Sequence, residues 1–137
     1  MINQMIKLYA NNLLEEVESG IKAIKAKRVV VDSVSIIELF IKDEYLSRAV
    51  LLTLVEKLKD FGVTAVFTGS VPEASEGLSG GGIIEYLVDT VVKMDFDPSL
   101  EEFKRTLNIR KMRRTDHSIL IHPIEFSKLG IRVLEVK

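Results

Sequence analysis

Val29-Val30-Val31-Asp32-Ser33 is the stretch that decides the fold, because three β-branched residues in a row are followed at once by a carboxylate and a hydroxyl. Such a continuous run is typical of a strand that a parallel sheet buries on both faces. A second apolar run, residues 63–68, is followed by Gly69 and Ser70. The segment between the two runs has helical periodicity, and strand, helix, strand predicts a parallel α/β core.

Helical patterns surround these two strands. Upstream, Leu13, Val17, Ile21 and Ile24 recur at helical spacing, but the sequence leaves open whether this helix begins at the start of the chain or breaks at Asn11 and Asn12. Between the strands, Ser35 and Glu38 have the spacing of a capping box, which predicts one longer helix that ends at Gly62. Its apolar side is formed by Leu46, Val50, Leu54, Val55, Leu58 and Phe61.

The later part of the chain predicts short strands. A glycine- and serine-rich loop at 69–82 and a helical segment at 83–87 are followed by apolar runs at 90–94, 103–112, 118–125 and 130–136. The predicted fold class is therefore α/β, with a mostly parallel sheet flanked by helices and antiparallel hairpin strands at its C-terminal edge. With 137 residues, we expect a single domain covering 1–137.

The composition excludes several classes of protein. Hydrophobic residues make up 47% and charged residues 28%, which is globular rather than disordered composition. The chain contains no cysteine, which excludes disulfides, thiolate nucleophiles and cysteine-ligated zinc. No apolar run reaches the ~18 residues of a spanning helix, so we expect a cytoplasmic protein that does not bind membranes.

Charge is distributed unevenly along the chain. The net charge is −1, yet six of the eleven residues 104–114 are basic and none is acidic. Cations in this arrangement can neutralise phosphate groups, including those of nucleic acid. The alternative is a solvated hairpin tip, balanced by Asp95, Asp97 and the two glutamates at 101 and 102.

Polar side chains end both predicted parallel strands. Asp32 at the carboxyl end of the first strand is placed where open α/β sheets bind ligands, and its carboxylate can hold Mg²⁺ beside a nucleotide. Thr68 and Ser70 emerge at the same edge. The alternatives are that Asp32 caps the following turn together with Ser33 and Ser35, and that Thr68 and Ser70 simply begin a loop.

Four segments in order carry a family resemblance. They are AKRVVVDSVS (26–35), LKDFGVTAVFTGS (58–70), SGGGIIEYLVDTVVKM (79–94) and LNIRKMRRTDH (107–117). Together they resemble the later half of the KaiC-like branch of the RecA superfamily of ATPases, which implies a partial RecA-like domain.

The resemblance also implies roles for individual residues. Asp32 corresponds to the Walker B carboxylate, with Ser33 beside it, and Thr68 and Ser70 lie in the sensor region. Lys111 and Arg113 would reach the γ-phosphate in an adjoining subunit. His117 lies in the same segment as these two cations; with His122 it forms no metal-ligand spacing, and we interpret both histidines as structural. Arg114 stands where family members often have glycine.

The phosphate-binding loop of the family is absent from this sequence. Its pattern, GxxxxGK followed by Ser or Thr, does not occur, and the family's catalytic glutamates precede Walker B in a segment that has no counterpart here. Hydrolysis by this chain alone is therefore not expected. The resemblance implies that a strand is missing between the two parallel strands. Direct pairing of these strands or a second copy of the chain would fill the gap, and we predict a homo-oligomer, most simply a dimer.

Three functions follow from these expectations, in this order. The first is a catalytically inert binding or regulatory module that acts on a full-length KaiC-like ATPase, with no cofactor bound on its own. The second is the ATP-binding part of a split ATPase that holds Mg-ATP together with a partner. The third is a nucleic-acid-binding module that uses residues 104–114.

Overall fold

The structure, a computed structural model, describes residues 2–70, 83–97 and 104–135 and divides into two compact units, Met1–Leu87 and Val88–Lys137. The predicted single domain stays a prediction, because compactness does not establish whether the two units unfold together. Most of the predicted loop at 69–82, the segment 98–103 and the last two residues lie outside the described residues.

The first unit contains the parallel strands and all four helices of the described chain. In chain order its elements are α1 (Ile2–Ile24), β1 (Arg28–Val31), α2 (Val34–Phe40), α3 (Glu44–Asp60), β2 (Thr64–Phe67) and α4 (Ile84–Leu87). The strand, helix, strand order predicted from the sequence is confirmed.

Helix α1 is continuous through Asn11 and Asn12, which resolves the alternative that the sequence left open. Its buried stripe is rotated slightly from the predicted one. Leu14 and Ile21 are buried and Val17 packs against them, whereas Ile24 is exposed. The core contacts therefore follow the side of the helix that faces Leu54 and Leu58 of α3.

The predicted long helix after Ser35 is wrong, because two helices take its place. Helix α2 ends at Phe40, and α3 begins after Asp43, whose side chain accepts a hydrogen bond from the Leu46 backbone N–H at 2.9 Å. Aspartate is among the preferred N-caps, and this cap satisfies one of the free N–H groups at the start of α3. The N-cap position of α2 is Ser33 rather than Ser35, and Ser33 makes no side-chain cap bond.

Helix α3 has the amphipathic pattern predicted for it. Its buried residues include Val50, Leu54, Val55 and Leu58, all of which the spacing identified. The helix ends at Asp60, and Gly62, two residues beyond, has a φ of 64°, in the left-handed region that glycine adopts without strain. Its N–H donates to the Lys59 carbonyl at 2.9 Å and closes the last turn.

Strands β1 and β2 pair directly and in parallel, with Arg28 opposite Thr64 and Val31 opposite Phe67. Of the two ways of filling the expected gap, the direct pairing of β1 with β2 is the one observed. The argument for a homo-oligomer from an empty position in this sheet is removed with it.

In the part of the chain that the structure describes, the parallel pair packs against the core on one face only, which differs from the expectation that both faces are buried. Val29, Ala65 and Phe67 pack against the core formed by α1 and α3. On the other face Val30 is 67% exposed and Val66 is 53% exposed. The β-branched run predicted the strand correctly but not how many of its faces are covered.

The second unit is an antiparallel sheet in the order β3 (Thr90–Phe96), β4 (Arg105–Met112), β5 (His122–Ser127) and β6 (Gly130–Val133). A bulge between Val91 and Val92 shifts the register of the first hairpin. The predicted antiparallel hairpin strands are confirmed, and with the parallel pair and the helices they confirm the α/β class. Within the described part of the chain, no helix has the length and hydropathy needed to cross a bilayer.

Candidate functional site at the carboxyl edge of the parallel strands

The carboxyl ends of β1 and β2 meet at one edge of the first unit, and the chain places a polar residue directly after each strand. Asp32 follows Val31, and Thr68 follows Phe67. Because parallel strands point the same way, the register of the pair brings these two residues side by side. Both are exposed, so their side chains are accessible to a ligand.

A hydrogen bond joins the two side chains: the Thr68 hydroxyl donates to Oδ1 of Asp32. The backbone supports this arrangement on both sides. The Thr68 N–H donates to the Val31 carbonyl at 3.0 Å, and the Val34 N–H donates to the Thr68 carbonyl at 3.0 Å. Among the described residues, the second carboxylate oxygen of Asp32 has no hydrogen-bond partner. One carboxylate oxygen of Asp32 is therefore held in place by Thr68, and the other is available to bind a ligand.

A second polar contact links the same two turns. The Ser70 N–H donates to the Ser35 hydroxyl at 3.0 Å, and the two hydroxyl oxygens lie 3.2 Å apart. Ser33, joined to Asp32 by a cis peptide bond, lies between the carboxylate and the start of α2. Of the predicted site residues, Asp32, Ser33, Thr68 and Ser70 are thus brought together.

The contacts of Asp32 differ from the capping alternative. Its carboxylate accepts from Thr68 of the neighbouring strand's turn, and Ser33 makes no cap bond to α2. Ser35 is a residue of this edge that we did not predict as part of the site, although it was assigned to the turn. Its only signal in the sequence is a hydroxyl three residues beyond Asp32.

The predicted cations lie in the second unit and are held by local contacts. The Lys111 ammonium donates to the Val88 carbonyl at 2.6 Å. Arg113 contacts Asp89 twice, from its backbone N–H to the Asp89 carbonyl at 2.9 Å and from its guanidinium to the carboxylate at 3.4 Å. These contacts fasten the end of β4 to the segment that precedes β3. Asp89 is thus an acidic partner of Arg113 that the sequence did not predict. Of the four predicted acids, Asp95 pairs with Lys93 at 2.7 Å, and Glu101 and Glu102 lie outside the described residues.

Arg114 has a φ of 59°, in the left-handed region where glycine is favoured. This conformation explains why family members often have glycine here, and this chain adopts the same conformation with an arginine. His117 lies in the turn beyond it, where its ring nitrogen Nδ1 is 3.2 Å from the Thr115 carbonyl. The His122 ring is 2.9 Å from the Ser118 hydroxyl. Within the described ranges, no group of three His, Cys, Asp or Glu residues could hold a metal ion.

Comparison with known proteins identifies the family. A model of the family described as "ATPase: KaiC" matches residues 2–137. This chain belongs to the KaiC ATPase family. The resemblance inferred from the four sequence segments is confirmed, and a partial RecA-like domain is consistent with it.

Individual KaiC-family relatives show how much of a longer protein the chain matches. The UPF0273 protein PH0284 of Pyrococcus horikoshii is 38% identical over 120 residues, which cover 88% of this chain and 47% of that protein. A UPF0273 protein of Thermotoga maritima is 35% identical over 119 residues, covering 87% and 48%. The crystal structure of the KaiC-like protein PH0186 of P. horikoshii has a TM-score of 0.80 and 38% identity, covering 92% of this chain and 57% of that one. The chain spans about half the length of the curated relatives it matches.

Proposed function

We propose that this chain supplies the magnesium side of a KaiC-family nucleotide site and does not hydrolyse ATP unaided. The observation that carries the proposal is the pair formed by Asp32 and Thr68 at the carboxyl edge of the parallel strands. An acidic side chain fixed by a neighbouring hydroxyl at this edge is well placed to act on a bound nucleotide.

The chemistry of this edge fits a magnesium ion. Mg²⁺ takes oxygen ligands, keeps several waters, and is commonly held by one or two carboxylates together with substrate phosphates. Asp32 provides one carboxylate, the Thr68 hydroxyl contacts it, and Ser33 and Ser70 carry hydroxyls in the same two turns. A bound Mg²⁺ would neutralise phosphate charge here, with waters and phosphate oxygens as its remaining ligands.

The rest of the site would come from a phosphate-binding loop that residues 1–137 do not contain. Residues 1–137 contain no GxxxxGK pattern to cradle phosphates with backbone N–H groups. Without that loop, Asp32 would contact the metal ion and not the phosphates of ATP. We therefore expect weak, magnesium-dependent binding of ATP to this chain and no turnover. Tight binding and hydrolysis would require that loop.

A regulatory module that offers Lys111 and Arg113 to a full-length ATPase is the second candidate. The family resemblance supports it, but both cations already have partners within the second unit. They would have to exchange the Val88 carbonyl and the Asp89 carboxylate for a phosphate. We therefore place this function after the one based on Asp32.

Isothermal titration calorimetry and amide NMR on the full chain test the proposal. With Mg-ATP we expect dissociation constants on the order of 1 mM, and shifts at the amides of Ser33, Thr68 and Ser70. Asp32→Asn should abolish the difference between Mg-ATP and ATP with a chelator. Asp60→Asn, which removes an exposed carboxylate at the end of α3, is the matched control and should change nothing.

Two results would count against the proposal. One is magnesium-dependent binding that survives Asp32→Asn, and the other is an absence of amide shifts at millimolar Mg-ATP. If nucleotide does not bind but the chain changes the turnover of a full-length KaiC-family ATPase, and Arg113→Ala removes that effect, the regulatory function takes its place.

A further inference from the structure

Helix α2 has an acidic residue on the side that faces the core. Val34 at its start is 0% exposed, Ile41 just past its end is 6% exposed, and Ile37 packs against the core clusters that α1 and α3 form. Positions 34, 37, 38 and 41 have the i, i+3, i+4, i+7 spacing of one helix face. Glu38 therefore shares the buried side of α2 with these three apolar residues.

The other side of α2 carries apolar residues that face solvent. Ile36 is 64% exposed, Leu39 is 76% exposed and Phe40 is 62% exposed. Burial of an apolar side chain stabilises a helix, whereas burial of an acid without a hydrogen bond destabilises it. The amphipathic pattern of α2 is therefore inverted at Glu38, at a position that an apolar residue would occupy more favourably.

The Glu38 carboxyl group is only partly solvated. Its Oε1 atom is buried and has no hydrogen-bond partner among the described residues. Such atoms are uncommon in folded proteins, because a buried group that loses its hydrogen bonds to water must find others. Glu38 also lies in the last turn of α2, where the helix dipole disfavours negative charge. The fold thus favours the protonated form of this side chain.

The charges around Glu38 act in the same direction. Burial, and then the charge of Glu85 in α4, raise the pKa of the Glu38 carboxyl above its ordinary value of 4.5. Helix α3 also packs against α2, but its first cation, Arg48, forms an ion pair with the exposed Glu44. Lys42, in the turn between the two helices, is exposed. Among the described residues, no cation compensates the ionised form of Glu38.

We propose that α2 is a proton-dependent element of the fold, whose last turn is held against the core while Glu38 is protonated and loosens as this carboxyl ionises. The folded chain binds this proton more tightly than the unfolded chain does. The stabilisation is therefore complete below pH 4.5 and is lost as the pH rises through the raised pKa. Helix α2 follows Asp32 and Ser33, so a pH-sensitive element adjoins the candidate site. The proposal is independent of nucleotide binding.

Hydrogen exchange, measured by NMR on the full chain, tests this proposal. The reporter is the amide of Ile41, which donates to the Ile37 carbonyl at 2.9 Å and closes the last turn of α2. After correction for the intrinsic exchange rate, we expect its protection to fall from pH 4.5 to about pH 8. Glu38→Gln and Glu38→Leu should both lose this dependence. At about pH 8 they should exceed the protection of the unmodified chain at least about fivefold, as for one hydrogen bond left unmade.

A control variant and a direct titration complete the test. Glu56→Gln removes an exposed carboxylate of α3 and should keep the pH dependence of the unmodified chain. The side-chain carboxyl carbon of Glu38, followed by NMR, should titrate above pH 4.5. Titration at or below that value overturns the proposal. So does protection of the Ile41 amide that does not fall with rising pH, or that falls equally in Glu38→Gln.

Discussion

Replacing Thr68 with valine tests the geometry on which the candidate site depends. The change removes the hydroxyl that donates to Oδ1 of Asp32 and keeps a β-branched side chain suited to a strand end. The hydrogen bonds from the Thr68 backbone to Val31 and Val34 do not involve the side chain and should persist. The substitution therefore isolates one contact between the turns that follow β1 and β2.

The expected cost follows from the exposure of the pair. Hydrogen bonds to charged groups contribute about 1.5–3 kcal/mol, whereas exposed charged contacts contribute about 0–1 kcal/mol. Thr68 and Asp32 are both exposed, so we expect Thr68→Val to lower the free energy of unfolding by about 1 kcal/mol. Asp32→Ala loses the same bond. A double-mutant cycle should accordingly give a coupling energy of about 1 kcal/mol between the two positions.

Equilibrium unfolding in urea, followed by circular dichroism, measures these differences. Thr64→Val at the start of β2 is the matched control, because Thr64 is exposed and its side chain makes no hydrogen bond with the described residues. Its effect should stay within about 0.5 kcal/mol. Additive effects of Thr68→Val and Asp32→Ala would refute the contact, and with it the view that the carboxylate is held ready for a metal.

Three further predictions concern stability. Leu54→Ala should cost about 3 kcal/mol because Leu54 is 1% exposed in the core, whereas Leu52→Ala, at a position 42% exposed on the same helix, should cost less than about 1 kcal/mol in the same urea experiment. Gly62→Ala should cost about 1 kcal/mol, measured by thermal unfolding, because φ is 64° and open space surrounds the added methyl group. Hydrogen bonds from Lys22 and then Lys57 lower the pKa of Glu18 from 4.5 to about 2, so its stabilising effect is present above pH 4.5 and is lost as the pH falls through 2. Glu18→Gln should reduce the pH dependence of stability in this window, measured by urea unfolding at a series of pH values.

Local chemistry made the polar edge predictable from sequence. Asp32 and Thr68 each follow a short run of β-branched or aromatic residues that predicts a strand. Neighbouring parallel strands have their carboxyl ends at the same edge of the sheet, independently of the other elements of the fold. The periodicity of α3 and its termination just before Gly62 were predictable for a similar reason, since burial of one helix side and the left-handed conformation beyond the C-terminus both depend on neighbouring residues.

Features set by distant parts of the chain were not predictable. The open face at Val30 and Val66 depends on which elements cover the sheet, and a β-branched run carries no information about that. The break between α2 and α3 was hidden because the apolar spacing continues across Asp43, whose side-chain cap becomes visible only in three dimensions. The contact of Arg113 with Asp89 depends on the register of β3 and β4 and on their bulge.

The two groups of candidate residues differ in how ready they are to bind phosphate. Asp32 is held by Thr68, and Ser35 is bonded to Ser70, so the turns beyond β1 and β2 are linked before any ligand arrives. A ligand there gains from groups already in position, which lowers the entropic cost of binding. Lys111 and Arg113 must first give up their contacts with Val88 and Asp89. Only a stronger interaction, with the phosphate of a nucleotide bound to a neighbouring subunit, would offset the loss of those contacts. Substitutions at Asp32 should therefore act on the isolated chain, while those at Arg113 should act on ligand binding only in a complex.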